Sequence, residues 1–249
     1  LMLPVIDTRG DVVAFGSRVL DKSEPKYMNS SETPVYSKRR VLYGLNLAKK
    51  SKRPNIILCE GNLDIVTLHQ AGFDNSVASM GTALTVEQTR LLSRFTKELV
   101  LCYDNDNAGK IATERALQIL NGSEFSVKVL QLPRRLVDGE YIKQDADDFI
   151  KLQGPDAFER LLNGSENGVE FRMAQIAGKY DLKDDEARIA YCGEVSELLA
   201  SLPGAVEREI YTGRAAEAAG ITAEAMKLEV QRSFKRRIAR EKRRSCGRI

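Results

Sequence analysis

Histidine and tryptophan are nearly missing from this chain of 249 residues, which has one histidine and no tryptophan. Catalysis that depends on an imidazole would have to use His69. That residue lies in the stretch LDIVTLHQAGF, where apolar residues are spaced as in a helix, so its position is typical of an ordinary helix residue. The chemistry of the chain is therefore expected to use carboxylates, lysines, arginines or a bound metal ion.

Cysteine is scarce and scattered. The chain has four cysteines and no C-x-x-C pair, and the cysteines are Cys59, Cys102, Cys192 and Cys246. Because only one histidine is available to complete a nitrogen-and-sulfur site, structural zinc is not expected in this fragment. Two of the cysteines, Cys59 and Cys102, fall in apolar runs and are predicted to be buried free thiols.

Long apolar runs are also missing. None approaches the roughly 18 residues that a membrane span needs. The start of the sequence, LMLPVIDTRG, lacks the charged-then-apolar order of a signal peptide. The hydrophobic share of 43% excludes disorder along the whole chain. A globular protein of the cytoplasm, with no membrane partner, is the expectation.

The net charge of +3 hides a strong segregation of charge. Residues 1–55 sum to +6, residues 56–150 to −5, residues 151–231 to −6 and residues 232–249 to +8. A basic face beside an acidic cluster is a plausible arrangement for handling phosphates together with divalent cations. The basic run at 232–249 has two interpretations, a nucleic-acid track or the exposed end of a helix that leads into a linker.

Hydrophobic periodicity predicts three regions. Residues 1–27 are predicted to be rich in β-structure with a hairpin turn at 8–11, and residues 40–52 are predicted to be helical. Between residues 55 and 133, short apolar runs alternate with helical segments, which is typical of a mostly parallel sheet flanked by helices. The predicted strands are Ile56–Cys59, Ser76–Ser79, Leu99–Tyr103 and Val127–Leu132, and the predicted helices are Leu63–Ala71, Val86–Phe95 and Ala108–Leu120. Beyond residue 155 the pattern predicts helices only.

Three acidic motifs follow predicted strands. Listed in chain order, they are Glu60 with Asp64, Asp104 with Asp106, and Asp145 with Asp147. Because the carboxyl ends of parallel strands share one edge of the sheet, these side chains are expected to converge there. Clustered carboxylates repel one another, and a divalent cation offsets that repulsion. Ligands that are all oxygen favour Mg²⁺ or Mn²⁺.

The Asp104–Asp106 pair is open to two competing interpretations. Asp106 could be a helix cap without any metal. A calcium-binding loop that starts at Asp104 fails, because Ala108 and Arg115 occupy the fifth and twelfth positions, where ligands are needed. The coincidence of three acidic motifs at the same topological place favours the metal interpretation.

The segments ILCEGNLDIV, ASMGTALT and VLCYDNDNAGKIATERA resemble the Toprim fold of bacterial primases, topoisomerases and some nucleases. The flanking segments FGSRVL, EPKYMNSSETPVYSKRRVLYGLN and DADDFIKLQG resemble the catalytic core of the bacterial replicative (DnaG-type) primases, over Leu1 to about Phe158. The resemblance implies a mixed α/β architecture: a basic, β-containing subdomain at 1–54, a Toprim subdomain at 55–153 and a helical subdomain at 154–249. The family usually has Asp-Pro-Asp in its last acidic motif, where this chain has Ala146.

The same resemblance implies synthesis of short RNA primers on single-stranded DNA from ribonucleoside triphosphates. It assigns catalysis to Glu60, Asp104 and Asp106, and a Mg²⁺ or Mn²⁺ site to Glu60, Asp64, Asp104, Asp106, Asp145 and Asp147. Nucleotide or nucleic-acid binding is expected at Arg18, Lys26, Asn29 and Lys38. The neighbouring Tyr27 and Tyr36 are expected either to stack bases or to pack in the core.

The resemblance also carries expectations about partners. The family's zinc-binding and helicase-binding domains have no recognised counterpart here, so the chain is expected to be a monomeric fragment whose replicative helicase binds through a domain that the fragment lacks. Two alternatives stay open. One is another Toprim enzyme, topoisomerase-like or nuclease-like, and the other is a non-catalytic nucleic-acid-binding module.

Overall fold

A computed structural model of the protein describes residues 1–20, 24–137 and 140–246. The chain divides into two units, Leu1–Gly168 and Val169–Ile249. Both boundaries predicted from the sequence, after residues 54 and 153, fall inside the first unit and stay predictions.

A three-stranded antiparallel sheet opens the first unit, in the order β1 (Met2–Ile6), β2 (Val12–Arg18), β3 (Tyr27–Asn29). The β1–β2 turn is closed by Asp7, whose Oδ1 accepts hydrogen bonds from the backbone N–H groups of residues 9, 10 and 11 at 2.8–3.1 Å. The hairpin predicted at this turn is therefore present. The inner face of the sheet packs against Tyr36, which is 1% exposed, so this tyrosine belongs to the core and cannot stack a base.

The helix predicted over 40–52 is much shorter than expected. Only α1 (Leu45–Ala48) is helical, and Gly44 before it has a φ of +82°. A Cβ at Gly44 would lie 2.7 Å from Ile65 Cγ2 and 3.0 Å from the Ser76 carbonyl oxygen. This close approach requires glycine in a left-handed conformation, and that conformation ends the helix on its amino side.

Five strands form the central sheet of the first unit, in the order β10, β7, β6, β4, β5. The strands are β4 (Asn55–Cys59), β5 (Ser76–Ala78), β6 (Glu98–Leu101), β7 (Ser126–Val129) and β10 (Glu166–Asn167). All neighbouring pairs are parallel except β10–β7. The connecting helices are α2 (Asn62–Gln70), α3 (Val86–Leu92) and α4 (Asn107–Leu120). Each predicted strand and helix of this region is present within a few residues.

Three very short strands escaped the sequence prediction. The hairpin of β8 (Arg135–Val137) and β9 (Glu140–Ile142) and the two-residue strand β10 have no apolar alternation. The expectation of helices only beyond residue 155 is wrong at Glu166–Asn167, which pair with Lys128 and Val129. Pairing with the exposed edge of β7 makes Glu166 and Asn167 extended.

The connection order creates a switch point in the central sheet. From β4 the chain moves through α2 to β5 on one side, and from β5 it returns through α3 to β6 on the other side of β4. The carboxyl ends of β4 and β6 are therefore neighbours with helices leaving in opposite directions. Ligands of open α/β sheets bind in the crevice at such a point.

Aromatic packing fixes the last two helices of the first unit against the sheet. These are α5 (Ala146–Gln153) and α6 (Pro155–Asn163). The Phe158 ring is fully buried, with its centroid 4.7 Å from that of Phe73 and 6.1 Å from that of Phe149. Because Phe73 follows α2 and Phe149 lies in α5, this cluster holds α5 beside α2.

The second unit is helical. Its helices are α7 (Gly168–Ala177), α8 (Asp185–Ala200), α9 (Ala205–Ala219) and α10 (Ala223–Cys246). Their shared core includes Tyr191, Val195, Leu199, Ala215 and Met226. In α10 the described side chains of residues 235–243 are exposed, so this part of the basic run lies exposed on a helix, and the choice between its two interpretations stays a prediction. Among the described helices, none has the length and low polarity needed to cross a bilayer.

Gly109, in the first turn of α4, allows that helix to approach the loop that carries Asp104. A Cβ at Gly109 would lie 1.9 Å from the Asp104 carbonyl oxygen, where no neighbouring side chain can give way. We predict that Gly109→Ala lowers the free energy of unfolding by about 3 kcal/mol, measured by urea denaturation, because the loop must shift.

Gly164 is the matched control, since it lies in the same unit, is exposed, and a Cβ there would meet only ordinary contacts at 3.5 Å or more. Gly164→Ala should leave the urea midpoint unchanged. Equal midpoints for the two variants would contradict the packing described for α4.

Candidate metal centre and its basic rim

Two neighbouring strands deliver acidic residues to the switch point. Glu60 follows β4 directly, and Asp104 comes three residues after β6. The parallel register aligns Leu58 with Leu101, and the Cys102 N–H still donates to the Leu58 carbonyl oxygen at 2.9 Å. The buried thiols of Cys59 and Cys102 lie beneath this edge, as predicted. The buried residues of β4 and β6 thus place the carboxylates that follow them at the carboxyl edge of the sheet.

Asp64 ties helix α2 to helix α5. Its Oδ2 accepts a hydrogen bond from the Gly61 N–H and its Oδ1 accepts one from the Asp147 N–H, both at 3.1 Å. The side chain is almost fully buried. Burial, followed by the charge of Asp145, raises the pKa of Asp64 to about 7. A cation beside Asp64 would offset these effects and favour its ionised form.

Asp106 is both a helix cap and a charged member of the acidic pocket. The acidic pocket is the group formed by Glu60, Asp64, Asp104, Asp106, Asp145 and Asp147. Its Oδ1 accepts the Gly109 N–H at 2.8 Å and caps α4, as the helix-cap interpretation predicts. This hydrogen bond lowers the pKa of Asp106. Its Oδ2 lies 3.5 Å from the Lys143 ammonium nitrogen. One oxygen therefore serves the fold while the other faces a cation.

Glu60 and Asp104 are half-buried, and burial is the main cause that raises the pKa of each. For Glu60 the second cause is the charge of Asp104. Within the described part of the chain, Glu60 Oε1 is buried and has no hydrogen-bond partner. A buried carboxylate oxygen without a partner is an open ligand position for a cation.

The first turn of α5 carries the third acidic group. Asp145 caps the helix by accepting the Asp148 N–H at 2.7 Å. Asp147 accepts a hydrogen bond from the Thr67 hydroxyl and pairs with Lys151 at 2.6 Å. Asp145, Asp147 and Asp148 each offer an oxygen within 4.8 Å of the others. Asp148 is absent from the sequence prediction, although it directly extends the Asp-Ala-Asp motif.

The acids form one electrostatic unit, although they do not all meet at one point. Asp145 raises the pKa of both Asp64 and Asp104, which links the α5 group to the strand ends. Among the described residues, Glu60, Asp104 and Asp106 do not form a close triad of the kind that α5 provides. The oxygen-only donors and the unpartnered Glu60 oxygen fit a divalent cation, which would be of the hard type.

Two lysines at the pocket are absent from the sequence prediction. Lys143 Nζ lies 3.3 Å from Asp104 Oδ2, and hydrogen bonding to Asp104 raises the pKa of Lys143. Lys151 Nζ lies 2.6 Å from Asp147 Oδ2, and hydrogen bonding to Asp147 raises the pKa of Lys151. The i,i+4 spacing of Asp147 and Lys151 on a helix was a usable signal. Lys143 reaches Asp104 across 39 residues of sequence, so no local pattern reveals it.

A basic rim borders the acids at the edge of the N-terminal sheet. The ring of Tyr27 has the Arg18 guanidinium carbon 5.1 Å and the Lys26 ammonium nitrogen 6.0 Å from its centroid. Burial is the main cause that raises the pKa of Tyr27, and the charges of Asp64, Asp145 and Asp147 contribute. This exposed tyrosine and its two cations thus lie within electrostatic range of the pocket.

Hydrogen bonds, most of them to residues distant in sequence, position the other two predicted binding residues. Asn29 Nδ2 donates to the Met80 carbonyl oxygen at 3.5 Å, beside Gly81. The Lys38 backbone is held on both sides: its N–H donates to Glu32 Oε1 at 2.7 Å, and its carbonyl oxygen accepts Gln88 Nε2 at 3.0 Å. The capping box of Thr85 and Gln88 at α3 therefore also anchors the Lys38 segment.

Ala146 replaces the proline that the resembled family usually has. Asp145 is the extended N-cap of α5, with φ −89° and ψ 177°, and Ala146 is the first helical residue. A first helical position tolerates proline because its N–H has no partner within the helix. Either residue therefore leaves Asp145 and Asp147 in the same first turn.

Three family models match successive parts of the chain. Residues 1–49 match "DNA primase catalytic core, N-terminal domain", residues 57–150 match "Toprim-like", and residues 169–224 match "DnaB-helicase binding domain of primase". The expectation that the helicase-binding domain has no counterpart here is therefore wrong. The sequence pattern predicts those residues only as amphipathic helices.

Relatives agree with these models. The chain is 39% identical over 227 residues to a DNA primase of Clostridium acetobutylicum, covering 91% of this chain and 37% of that protein. A DNA primase domain structure from Pseudomonas aeruginosa is 33% identical with a TM-score of 0.75, covering 92% of this chain and 71% of that one.

A second solved structure, a DnaG primase catalytic domain bound to single-stranded DNA, is 32% identical with a TM-score of 0.75. That match covers 90% of this chain and 70% of the solved one. The central parallel sheet, the acidic motifs at its carboxyl edge and these likenesses over most of the chain lead to one family. The chain belongs to the bacterial DnaG-type DNA primases and corresponds to part of their catalytic core.

Proposed function

We propose that this chain catalyses template-directed joining of ribonucleotides, making short RNA primers on single-stranded DNA. The observation that carries the proposal is the group of carboxylates at the switch point, in a chain of the primase family. The DNA-bound relative supports single-stranded DNA as the template. The chain spans 37% of the length of the Clostridium relative. The proposal therefore assigns to this part the activity of the whole protein.

The acidic residues would have different roles in an in-line phosphoryl transfer. Such a transfer needs the reactants positioned and the charge on the attacking and leaving oxygens offset. Glu60, Asp104 and Asp106 would hold a divalent cation, with Asp64, Asp145 and Asp147 completing the acidic pocket. Mg²⁺, or Mn²⁺ in its place, would lower the pKa of the 3′-hydroxyl and neutralise triphosphate charge. Asp64 keeps α2 and α5 in register through its two backbone hydrogen bonds.

The basic rim would bind the polyanionic substrates. Arg18 and Lys26 flank the exposed ring of Tyr27, an arrangement in which a base can stack while phosphates meet the cations. Asn29 and Lys38 lie on segments anchored to the loop at Met80 and to the start of α3. We assign these residues to ribonucleoside triphosphates and to the nucleic-acid backbone.

Partners beyond the substrates are also part of the proposal. The match of residues 169–224 to a helicase-binding model supports contact between the helical unit and the replicative helicase. We propose that the chain acts as a monomer in the bacterial cytoplasm, in three subdomains bounded near residues 54 and 153.

Within the proposed function, the first prediction concerns the central carboxylate. Asp104→Asn should lower Mg²⁺-dependent RNA synthesis on single-stranded DNA by on the order of 100-fold or more, since one metal ligand loses its charge. Folding, measured by circular dichroism, and DNA binding should be retained. Asp156→Asn is the control, because Asp156 is an exposed first-turn residue of α6. Unchanged synthesis by Asp104→Asn would remove Asp104 from the metal site.

The second prediction concerns pH. The folded-state pKa of Asp64, about 7, exceeds the unfolded value near 4, so the native state binds the extra proton between these values. Without metal, this group should therefore lower stability as pH rises from about 4 to 7. In EDTA, the free energy of unfolding of Asp64→Asn should rise by about 2 kcal/mol relative to that of the wild type as pH rises from 5 to 8.

Urea unfolding across this pH range measures that difference. The amide loses one of two accepted hydrogen bonds, which adds a constant offset, so the slope with pH is the decisive quantity. Added Mg²⁺ should stabilise the wild type at pH 8 more than the variant, which keeps the other carboxylates of the pocket but lacks the charge of Asp64. A pH-independent difference between the two proteins would be inconsistent with a charged, buried Asp64.

The third prediction concerns the basic rim. Lys26→Ala should weaken binding of single-stranded DNA and lower the slope of log affinity against log salt by about 1, because one phosphate contact is lost. Fluorescence anisotropy at several salt concentrations gives this slope. Lys97→Ala is the control, since Lys97 pairs with Glu124 at the opposite, amino end of β6. If both variants shift the slope equally, the effect is general charge rather than a contact at the rim.

A further inference from the structure

Lys143 is held at the mouth of the acidic pocket, between two of its carboxylates. Its ammonium nitrogen lies 3.3 Å from Asp104 Oδ2 and 3.5 Å from Asp106 Oδ2. The lysine side chain is 60% exposed, whereas the carboxylates are 21% and 34% exposed. The cation therefore reaches inward from solvent to acids that are largely shielded from it.

Regular elements flank Lys143 on both sides. Strand β9 ends at Ile142 and helix α5 begins at Ala146, with Asp145 as its cap. Between them Gln144 is only 2% exposed, so it anchors the short connection. Lys143 is thus placed one residue from a buried anchor, and its reach to the pocket follows from the course of the chain.

Lys143 contacts an oxygen of each carboxylate that a metal ion could use. Asp106 Oδ1 is already bound to the Gly109 N–H, so Oδ2 is the oxygen left for a cation, and Lys143 contacts it. A divalent ion would approach these oxygens to about 2.1 Å. An ammonium group and a divalent ion that share both oxygens would repel each other strongly at such short range. Occupancy by one therefore excludes the other.

We propose that Lys143 is a built-in counter-ion that competes with the divalent cation for Asp104 and Asp106. This rests on the proposed metal site. In the metal-free chain the ammonium offsets the repulsion between the two carboxylates. Metal binding must displace it into solvent, where its long, exposed side chain can go at little cost. Lys143 is then a positioning residue that lowers the metal affinity of the pocket and keeps the empty pocket folded.

Direct Mn²⁺ binding tests this competition. Mn²⁺ is added to the full chain, and electron paramagnetic resonance measures the Mn²⁺ that stays free. The proteins compared are the wild type, Lys143→Met, Lys143→Arg and Lys97→Met. Lys143→Met should bind Mn²⁺ about three- to tenfold more tightly than wild type, because a partly exposed ion pair no longer competes. Lys143→Arg keeps the charge, and Lys97→Met changes a distant ion pair, so both should bind within about twofold of wild type.

Thermal unfolding gives the second readout. In EDTA, Lys143→Met should melt below wild type, and saturating Mn²⁺ should abolish or reverse this difference. Lys143→Gln supplies the same comparison with a polar side chain if the apolar one impairs folding. Equal or weaker Mn²⁺ binding by the neutral variants overturns the competition while leaving the metal site intact. Absence of Mn²⁺ binding by the wild type overturns both the metal site and this proposal.

Discussion

Repulsion among carboxylates at one edge of the sheet is the constraint on which the rest of the structure depends. The chain brings several acids within electrostatic range of one another, and three of them, Glu60, Asp64 and Asp104, have raised pKa values as a result of burial and neighbouring charge. Such a pocket persists only if something stronger fixes the backbone. Buried β4 and β6 supply that support from below, and the aromatic cluster around Phe158 holds α5 against α2 from the side. Backbone N–H groups and the two lysines then offset part of the charge.

Several acids serve the fold and the pocket at once. Asp106 and Asp145 each cap a helix with one carboxylate oxygen, and Asp64 accepts two backbone N–H groups that join two helices. Capping fixes the direction of a carboxylate, because the bonded oxygen cannot rotate away without losing its hydrogen bond. A cap and a metal ligand are therefore compatible functions of one residue. The same economy explains Ala146: the helix start, rather than the proline ring, orients the flanking aspartates.

The sequence predicted the central sheet and its acidic motifs because both are local signals. Apolar runs such as that ending at Cys59 identify buried strands, and the residues that follow a parallel strand must lie at its carboxyl edge. What it could not predict depends on distant partners. Lys143 reaches Asp104 across the β8–β9 hairpin, β10 forms only by pairing with β7, and the helix expected before residue 52 is shortened by the packing of Gly44 against Ile65. The helical unit was predicted as helices, but its helicase-binding likeness required comparison with relatives.

The two lysines at the pocket differ in a way that bears on metal affinity. Lys151 pairs with Asp147 within a single helix, and the other oxygen of Asp147 accepts the Thr67 hydroxyl, so this carboxylate is satisfied by its own surroundings. Lys143 instead bridges two carboxylates from the loop after β6, one of which has only a single oxygen available. Displacing Lys143 frees an oxygen of Asp104 and one of Asp106 for a metal ion. Displacing Lys151 frees only one oxygen of Asp147, whose other oxygen still accepts the Thr67 hydroxyl. A divalent cation therefore gains most at the Asp104–Asp106 side, next to the unpartnered oxygen of Glu60.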